Sequence, residues 1–332
     1  MSNILQDMSK SAVLPARSER QWLDVSSLEL PTPTTLLGVA KMEDVIFSAP
    51  SGFRPLTLDV YAPELHWSNP GESLPVVIWI HGGAFSMGSR KLLPNFLDQA
   101  NFFKMLTDHG FLVASIDYRH SGESVWPAQI IDVRNAIRWI RKNSERLGAD
   151  ETRMATWGES AGGHLSTMAG ILGDQASASD QPNEISAAVA AIVDWYGPTD
   201  FARMDDQAPA NSAMSHDDPE SPESLLLGVP VQLAQELVDS ANPISYINDD
   251  MPPILIRHGR IDRFVPFGQS QLLAEALSEA GVEFLFHPTS DTDHVFEKYP
   301  NPEEFIHEAI AFLDEKFAKV KTDSNRTEVT NV

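Results

Sequence analysis

The sequence contains no cysteine among its 332 residues. Disulfide bonds, thiolate zinc sites and cysteine nucleophiles are therefore excluded together. Its histidines and carboxylates do not cluster with the spacing of a metal site either. We accordingly expect no metal ion and no other cofactor, and any covalent nucleophile must be another residue type.

Positive charge is also scarce. The 24 Lys and Arg residues are outnumbered by 47 Asp and Glu residues, which gives a formal net charge of −23 at pH 7. Such a chain as a whole repels the phosphates of nucleic acids and the head groups of anionic lipids. We therefore expect neither a nucleic-acid partner nor a membrane partner, and strong acidity by itself usually indicates only solubility.

Long hydrophobic runs are missing as well. The longest ones, such as 76–80 and 187–193, are too short to cross a bilayer. The N-terminal residues lack the basic start and the unbroken apolar run of a secretory signal. These patterns predict a cytoplasmic protein, and they leave the oligomeric state unknown.

Short apolar segments instead alternate with helical periods from about residue 54 onwards. The segment 76–80 is apolar at every position, as expected for a strand that is buried on both faces. The predicted strands of this type include PVVIWI, FLVASID, RMATW, AAVAAIVDWYG, ILIRHG and VEFLFHP. Successive βα units predict an α/β fold with a doubly wound, mostly parallel sheet.

The same pattern divides the chain into parts. Residues 1–45 form an N-terminal segment that could dock near a site, 46–320 form the main domain, and 321–332 form a polar tail that we expect to be disordered. An acidic stretch rich in proline and serine, at about 201–245, interrupts the βα units. This insertion is either a small cap over a site or a long surface excursion.

The stretch WGESAGG, residues 157–163, places Ser160 between Gly158 and Gly162 where a predicted strand turns into a helix. A sharp turn that exposes the serine crowds the backbone two positions away on each side, so glycine is needed there. The helix would aim its first N–H groups at a developing oxyanion. A tight structural corner without chemistry is the alternative interpretation, and Glu159 has no role that the sequence indicates.

The triplet His81-Gly82-Gly83 follows the strand PVVIWI directly. Small residues at this place let backbone N–H groups approach a substrate oxygen. We therefore expect the N–H groups of Gly82, Gly83 and Ala161 to form an oxyanion hole, and His81 to orient the loop.

A serine hydroxyl needs a base that takes its proton and an acid that orients the base. In the fold with this type of turn, both follow the serine along the chain. His294 lies in the loop SDTDHVF and is the favoured base, whereas His287 ends a strand with little freedom to reach the serine. Asp262 follows the strand ILIRHG and is the favoured acid, with Asp200 as the weaker alternative.

Seven motifs occur in order: HGGAFSMG, DYRHS, WPAQIIDVRNAIRWI, WGESAGG, DWYGPTD, HGRIDRFVP and TDHVF. Over about residues 45–318 they resemble an α/β-hydrolase of the esterase and lipase group. More narrowly, the chain is similar to the feruloyl and acetyl-xylan esterase-like branch and to hormone-sensitive-lipase-like carboxylesterases. The resemblance implies an α/β-hydrolase fold with Ser160 as nucleophile, Asp262 as acid and His294 as base. It also implies that the backbone N–H groups of Gly82, Gly83 and Ala161 donate to the oxyanion.

The chain departs from the family pattern at Arg260, where aspartate or glycine is common, and at Val295, where glycine is common. Neither position carries a catalytic atom. These differences therefore affect the assignment to a subfamily more than the assignment of Ser160, Asp262 and His294.

The implied function is that of a serine carboxylesterase, which hydrolyses small to medium carboxylic esters through an acyl-enzyme. Two other hydrolases stay open, an arylformamidase-like amide hydrolase and a feruloyl or acetyl-xylan-type esterase. A catalytically retired binding protein is a further alternative, although such a protein usually loses its base. Residues near predicted strand ends are candidates to line the substrate pocket, namely Met87, Trp126, Tyr196 and Phe264.

Overall fold

The computed structural model describes residues 25–69, 71–175 and 185–330. The strands are β1 (Thr34–Leu36), β2 (Val39–Ser48), β3 (Leu56–Pro63), β4 (Leu74–Ile80), β5 (Leu112–Ile116), β6 (Ala149–Glu159), β7 (Ala191–Trp195), β8 (Ile254–Gly259) and β9 (Phe284–Thr289). The α-helices are α1 (Gln99–Asp108), α2 (Ala128–Lys142), α3 (Ser144–Leu147), α4 (Ala161–Leu172), α5 (Met204–Gln207), α6 (Pro222–Leu227), α7 (Gln235–Ala241), α8 (Gly268–Ala280) and α9 (Glu303–Thr330). Short 3₁₀ turns lie at Val25–Ser27, Phe201–Arg203, Val231–Leu233, Pro243–Tyr246 and His294–Phe296.

Within the described ranges the strands form one nine-stranded sheet in the order β1-β2-β3-β5-β4-β6-β7-β8-β9. The pairs β1–β2, β2–β3 and β3–β5 are antiparallel. All pairs from β5–β4 to β8–β9 are parallel. The prediction of a mostly parallel sheet is therefore confirmed. Because parallel strands end at the same edge of a sheet, the loops after β4, β6, β8 and β9 meet there.

Helices cover both faces of the sheet, which explains the continuous apolar segments. Ile78 of β4 belongs to a buried cluster with side chains of α2 and α4, whereas its neighbour Trp79 belongs to a cluster with side chains of α1 and α9. A strand whose two faces are both buried cannot show a polar alternation. No helix in the described ranges is both long and apolar enough to cross a membrane.

The N-terminal part joins the sheet rather than standing apart from it. β1 and β2 form a hairpin through Leu37 and Gly38, which both have positive φ, as a two-residue turn between twisted strands requires. The boundary that we expected between residues 45 and 46 consequently falls inside β2. Residues 1–24 lie outside the described residues, and the expected docking of this part near a site therefore stays a prediction.

The C-terminal part also differs from the expectation. Helix α9 continues to Thr330, although a disordered tail was expected from residue 321. No glycine or proline interrupts the chain from 303 to 330, so nothing in the backbone ends the helix earlier. The polar composition that suggested disorder does not by itself exclude a helix.

The insertion at about 201–245 consists of short helices and turns that pack against the loops at the strand ends. The N–H of Ala213 donates to the carbonyl of Arg263 at 2.8 Å, and the N–H of Trp126 donates to the carbonyl of Leu226 at 2.7 Å. These contacts attach the insertion to the loop after β8 and to the segment before α2. It therefore covers the edge where the parallel strands end.

Candidate active site

Ser160 lies at the turn between β6 and α4, with φ of 52° and ψ of −122°. A residue other than glycine rarely adopts this backbone conformation, and such strain is typical of functional sites. A Cβ atom at Gly158 would lie 2.0 Å from the carbonyl oxygen of Gly162, and one at Gly162 would lie 2.0 Å from that of Ile80. Both glycines are therefore required by the close approach of backbone to backbone.

The structure brings Ser160, His294 and Asp262 together. Nε2 of His294 lies 3.1 Å from Oγ of Ser160, and Nδ1 of His294 lies 2.7 Å from Oδ2 of Asp262. The other oxygen of Asp262 accepts the N–H groups of Phe264 and Val265 at 2.8 and 2.9 Å. The loop after β8 thus holds the carboxylate with one oxygen directed at the imidazole.

The charges of these groups support one another. Burial alone would raise the pKa of Asp262, but His294 and His258 hold it well below its usual range. Burial alone would lower the pKa of His294, but Asp262, with smaller contributions from Glu159 and Asp293, raises it. An ionised Asp262 keeps the proton of a neutral imidazole on Nδ1, which leaves Nε2 able to accept the proton of Ser160.

The alternative acid and base that the sequence left open lie elsewhere. Asp200 accepts the N–H of Ala202 at 3.0 Å and caps the 3₁₀ turn at Phe201–Arg203. Nδ1 of His287 forms a hydrogen bond with the carboxyl group of Glu308 in α9. Neither residue lines the cavity beside Ser160.

The expected oxyanion donors need one correction, at Gly82. Its N–H donates to Oε1 of Glu159 at 2.7 Å, so it is already occupied, and Gly82 does not line the cavity. Gly83, Ala84 and Ala161 do line it. Within the described residues, the N–H groups of Gly83 and Ala84 have no acceptor, and the N–H of Ala161, at the first position of α4, has no intrahelical partner.

Glu159 and Ala84 flank the expected site residues in the chain, line the cavity, and were not assigned to the site from the sequence. Glu159 is buried, and burial raises the pKa of its carboxyl against the opposing effects of His294 and the N–H of Gly82. No local signal in the sequence could have found it, because its contact with Gly82 depends on the register of two neighbouring strands. Ile80 of β4 pairs with Gly158 of β6, which sets the two glycine motifs side by side.

The cavity beside Ser160 has a volume of about 360 Å³ and walls that are mostly apolar. Of the four residues expected to line it, Met87 and Phe264 do so. Trp126 and Tyr196 do not. Trp126 is buried and donates through Nε1 to Oγ of Ser240 at 3.0 Å, and Tyr196 is fully buried with its ring centroid 4.9 Å from that of His294.

The insertion supplies one wall of this cavity. Its lining residues are Met214, His216, Pro222 and Glu223. Of the two interpretations of residues 201–245, the structure therefore favours a cap over the site.

The chain is similar in sequence to known proteins. The sequence model of the BD-FAE family matches residues 58–277. The probable carboxylic ester hydrolase LipM of Mycobacterium tuberculosis is 30% identical over 261 residues, which is 76% of this chain and 58% of that protein. The chain spans 51 to 58% of the length of this and two further curated relatives, the esterases LipQ and LipC of the same organism.

Solved structures are similar as well. A truncated carbohydrate esterase from gut microbiota superposes with a TM-score of 0.70 at 28% identity, over 87% of this chain and 100% of that one. A bifunctional GH43-CE protein of Bacteroides eggerthii superposes with a TM-score of 0.69 at 30% identity, over 83% of this chain and 38% of that one.

Proposed function

The chain belongs to the BD-FAE family and has the α/β-hydrolase fold, and on this basis we propose that it is a serine carboxylesterase. The observation that carries the proposal is the hydrogen-bonded series from Ser160 through His294 to Asp262, placed at the wall of a mostly apolar cavity. A cavity of about 360 Å³ suits small to medium carboxylic esters. The names of similar proteins, which include esterases and a carboxylic ester hydrolase, support the same reaction.

In the proposed mechanism, Oγ of Ser160 attacks the carbonyl carbon of the ester while Nε2 of His294 takes its proton. Negative charge then develops on the former carbonyl oxygen. We assign the stabilisation of that charge to the N–H groups of Gly83, Ala84 and Ala161, because these residues line the cavity and backbone donors are fixed before the reaction begins. His294 next gives the proton to the alkoxy oxygen, so the alcohol leaves and an acyl-enzyme remains.

Water completes the proposed cycle. Nε2 of His294 takes a proton from water as the water oxygen attacks the acyl carbon. Collapse of the second tetrahedral intermediate breaks its bond to Oγ of Ser160, and His294 returns the proton to that oxygen. Asp262 stays ionised throughout and stabilises the imidazolium that forms in each half of the cycle.

Family membership does not favour a feruloyl or acetyl-xylan substrate over a simple carboxylic ester. The curated relatives are named as esterases without a sugar or a phenolic acid. The carbohydrate esterase among the solved structures keeps sugar esters within the range of substrates to be tested.

The proposal is tested with p-nitrophenyl acetate and p-nitrophenyl butyrate, by comparing the wild-type protein with Ser160→Ala. We expect the variant to lose about 10⁶-fold in kcat while its circular dichroism spectrum is unchanged. A fluorophosphonate probe should label the wild type and not the variant. Hydrolysis by Ser160→Ala at the wild-type rate would show that another group is the nucleophile.

A further inference from the structure

A buried pair of polar residues lies in the cavity wall and has no part in the proposed mechanism. Nδ1 of His216 lies 3.0 Å from Oε2 of Glu223. The two residues are only 1% and 4% exposed, and both line the cavity that contains Ser160. They come from the insertion, so the catalytic loops do not account for them.

The structure holds His216 from two sides. Its N–H donates to Oδ1 of Asp205 at 2.7 Å, and Oδ2 of the same carboxylate accepts the N–H of Asp217 at 2.9 Å. Glu223 lies in α6, whose first turn is capped by Oγ of Ser221, which accepts the N–H of Ser224 at 3.1 Å. The imidazole of His216 is therefore positioned by the contact of its backbone N–H with Asp205 and by the contact of its ring with Glu223.

Within the described residues, the other ring nitrogen of His216 has no partner that meets the geometry of a hydrogen bond. This nitrogen is Nε2. Among the described side chains that line the cavity, only that of His216 has a buried nitrogen or oxygen atom without a hydrogen bond. The nearby carbonyl of Phe264 favours the charged ring but does not meet the geometry of a hydrogen bond. A buried polar atom without a partner is costly and therefore uncommon, which suggests that a ligand supplies the partner.

The tautomer limits what that ligand can be. Because Glu223 is an acceptor when ionised, Nδ1 of His216 carries a proton, and Nε2 of the neutral ring is an acceptor. Burial alone would lower the pKa of His216, but Glu223 raises it, so the protonated ring with an Nε2–H donor is also accessible. A hydroxyl group can pair with either form, because it both donates and accepts.

We propose that His216, oriented by Glu223, is a specificity-determining residue that hydrogen-bonds a neutral hydroxyl group on the acyl or the alcohol part of the ester. This inference rests on the proposed function. The remaining wall is mostly apolar, so the rest of the substrate is expected to be apolar as well. A neutral hydroxyl group fits both protonation states of the ring, whereas an anionic group would pair only with the charged one.

The test uses esters that differ by one hydroxyl group. Ethyl butyrate is compared with ethyl 3-hydroxybutyrate, which carries the hydroxyl on the acyl side, and with 2-hydroxyethyl butyrate, which carries it on the alcohol side. The kcat/KM of each is measured by acid release at constant pH. We expect the wild type to prefer the hydroxylated member of at least one pair by about 10-fold, the effect of one buried hydrogen bond.

Two substitutions separate recognition from a structural role. His216→Asn keeps a polar atom near the position of Nδ1 and removes Nε2, so kcat/KM for the hydroxylated ester should fall about 10-fold more than kcat/KM for ethyl butyrate, and the preference should fall to about 1. His216→Gln places an amide near the position of Nε2 and should keep part of the preference. Leu225→Ala, at an exposed side chain of the insertion that does not line the cavity, should leave the preference unchanged.

Each other outcome is decisive. Equal kcat/KM values of the wild type within both pairs overturn the inference, and they do so even if the variants fail to fold. An equal loss by His216→Asn on all three esters overturns it too, because the residue is then only structural. If the wild type hydrolyses none of the esters and Ser160→Ala changes nothing, the proposed function itself fails.

Discussion

The carboxylate of Glu159 accepts the N–H of Gly82 at 2.7 Å, although the two residues lie 77 positions apart in the chain. The bond joins the loop after β4 to the turn that carries Ser160. It also turns the N–H of Gly82 away from the cavity, so the donors that remain for a substrate are those of the following residues. The relationship therefore gives Glu159 a positioning role in the proposed mechanism.

Substitution of Glu159 should weaken the oxyanion loop without preventing substrate binding. Glu159→Ala removes the acceptor of Gly82, and we expect kcat to fall about 10- to 100-fold, less than the loss of about 10²- to 10³-fold that follows removal of a donor itself. KM should change little. Glu159→Gln keeps an acceptor oxygen and should retain most of kcat, and a similar loss in both variants would contradict the role.

The acidic limb of the pH profile should follow His294. Burial alone would lower its pKa, but Asp262 raises it above the usual value for histidine, and the proposed base must be neutral to accept a proton. The kcat/KM should therefore fall as the pH decreases through this raised pKa. Asp262→Asn removes the charge, so the limb should move to lower pH while kcat falls about 10⁴-fold. A limb at the same pH in both proteins would argue against His294.

Gly162, two residues after Ser160, should not tolerate a methyl group. A Cβ atom at Gly162 would lie 2.0 Å from the carbonyl oxygen of Ile80, so backbone would have to move. We expect Gly162→Ala to lower the free energy of unfolding by about 1 to 3 kcal/mol and to reduce kcat. Gly122→Ala is the matched control, because a Cβ atom there meets nothing within 4 Å, and urea denaturation measures both. Equal stability of the two variants would count against the close approach.

The aromatic cluster between the sheet and α1 should contribute strongly to stability. Trp79 is fully buried, and its ring centroid lies 6.0 Å from that of Trp157 and 6.2 Å from that of Trp195. Trp79→Ala should lower the free energy of unfolding by about 3 to 5 kcal/mol, because it removes packing and leaves a cavity. Leu233→Ala, at a side chain that is 77% exposed, should change it by less than about 0.5 kcal/mol. A loss below about 1 kcal/mol at Trp79 would be inconsistent with this packing.

Local pattern was enough to predict much of the fold and the residues that meet at the candidate site. The alternation of apolar segments with helical periods predicted the parallel sheet, because each strand buried on both faces is apolar on both faces. The turn at Ser160 was predictable because its glycines follow from backbone geometry within a few residues. Asp262 and His294 were predictable from their places after strands that end at one edge of the sheet.

The same reasoning failed where contacts join distant parts of the chain. Composition could not tell a polar helix that continues to Thr330 from a disordered tail. It also could not tell that Trp126 and Tyr196 are buried beside the cavity rather than in its wall. Large aromatic side chains near strand ends are drawn into the interior by the apolar area that they bury, and the direction depends on neighbours far along the chain.

The sequence by itself determined the central parallel strands, the strained turn at Ser160 and the order of the three residues that meet there. Each of these depends on residue types within a short stretch or on the ends of parallel strands. Only the tertiary structure decided which N–H groups remain free, because that depends on the register that sets Glu159 beside Gly82. Only it placed His216 in the wall of the cavity, because the insertion reaches the site through contacts that leave no local pattern in the sequence.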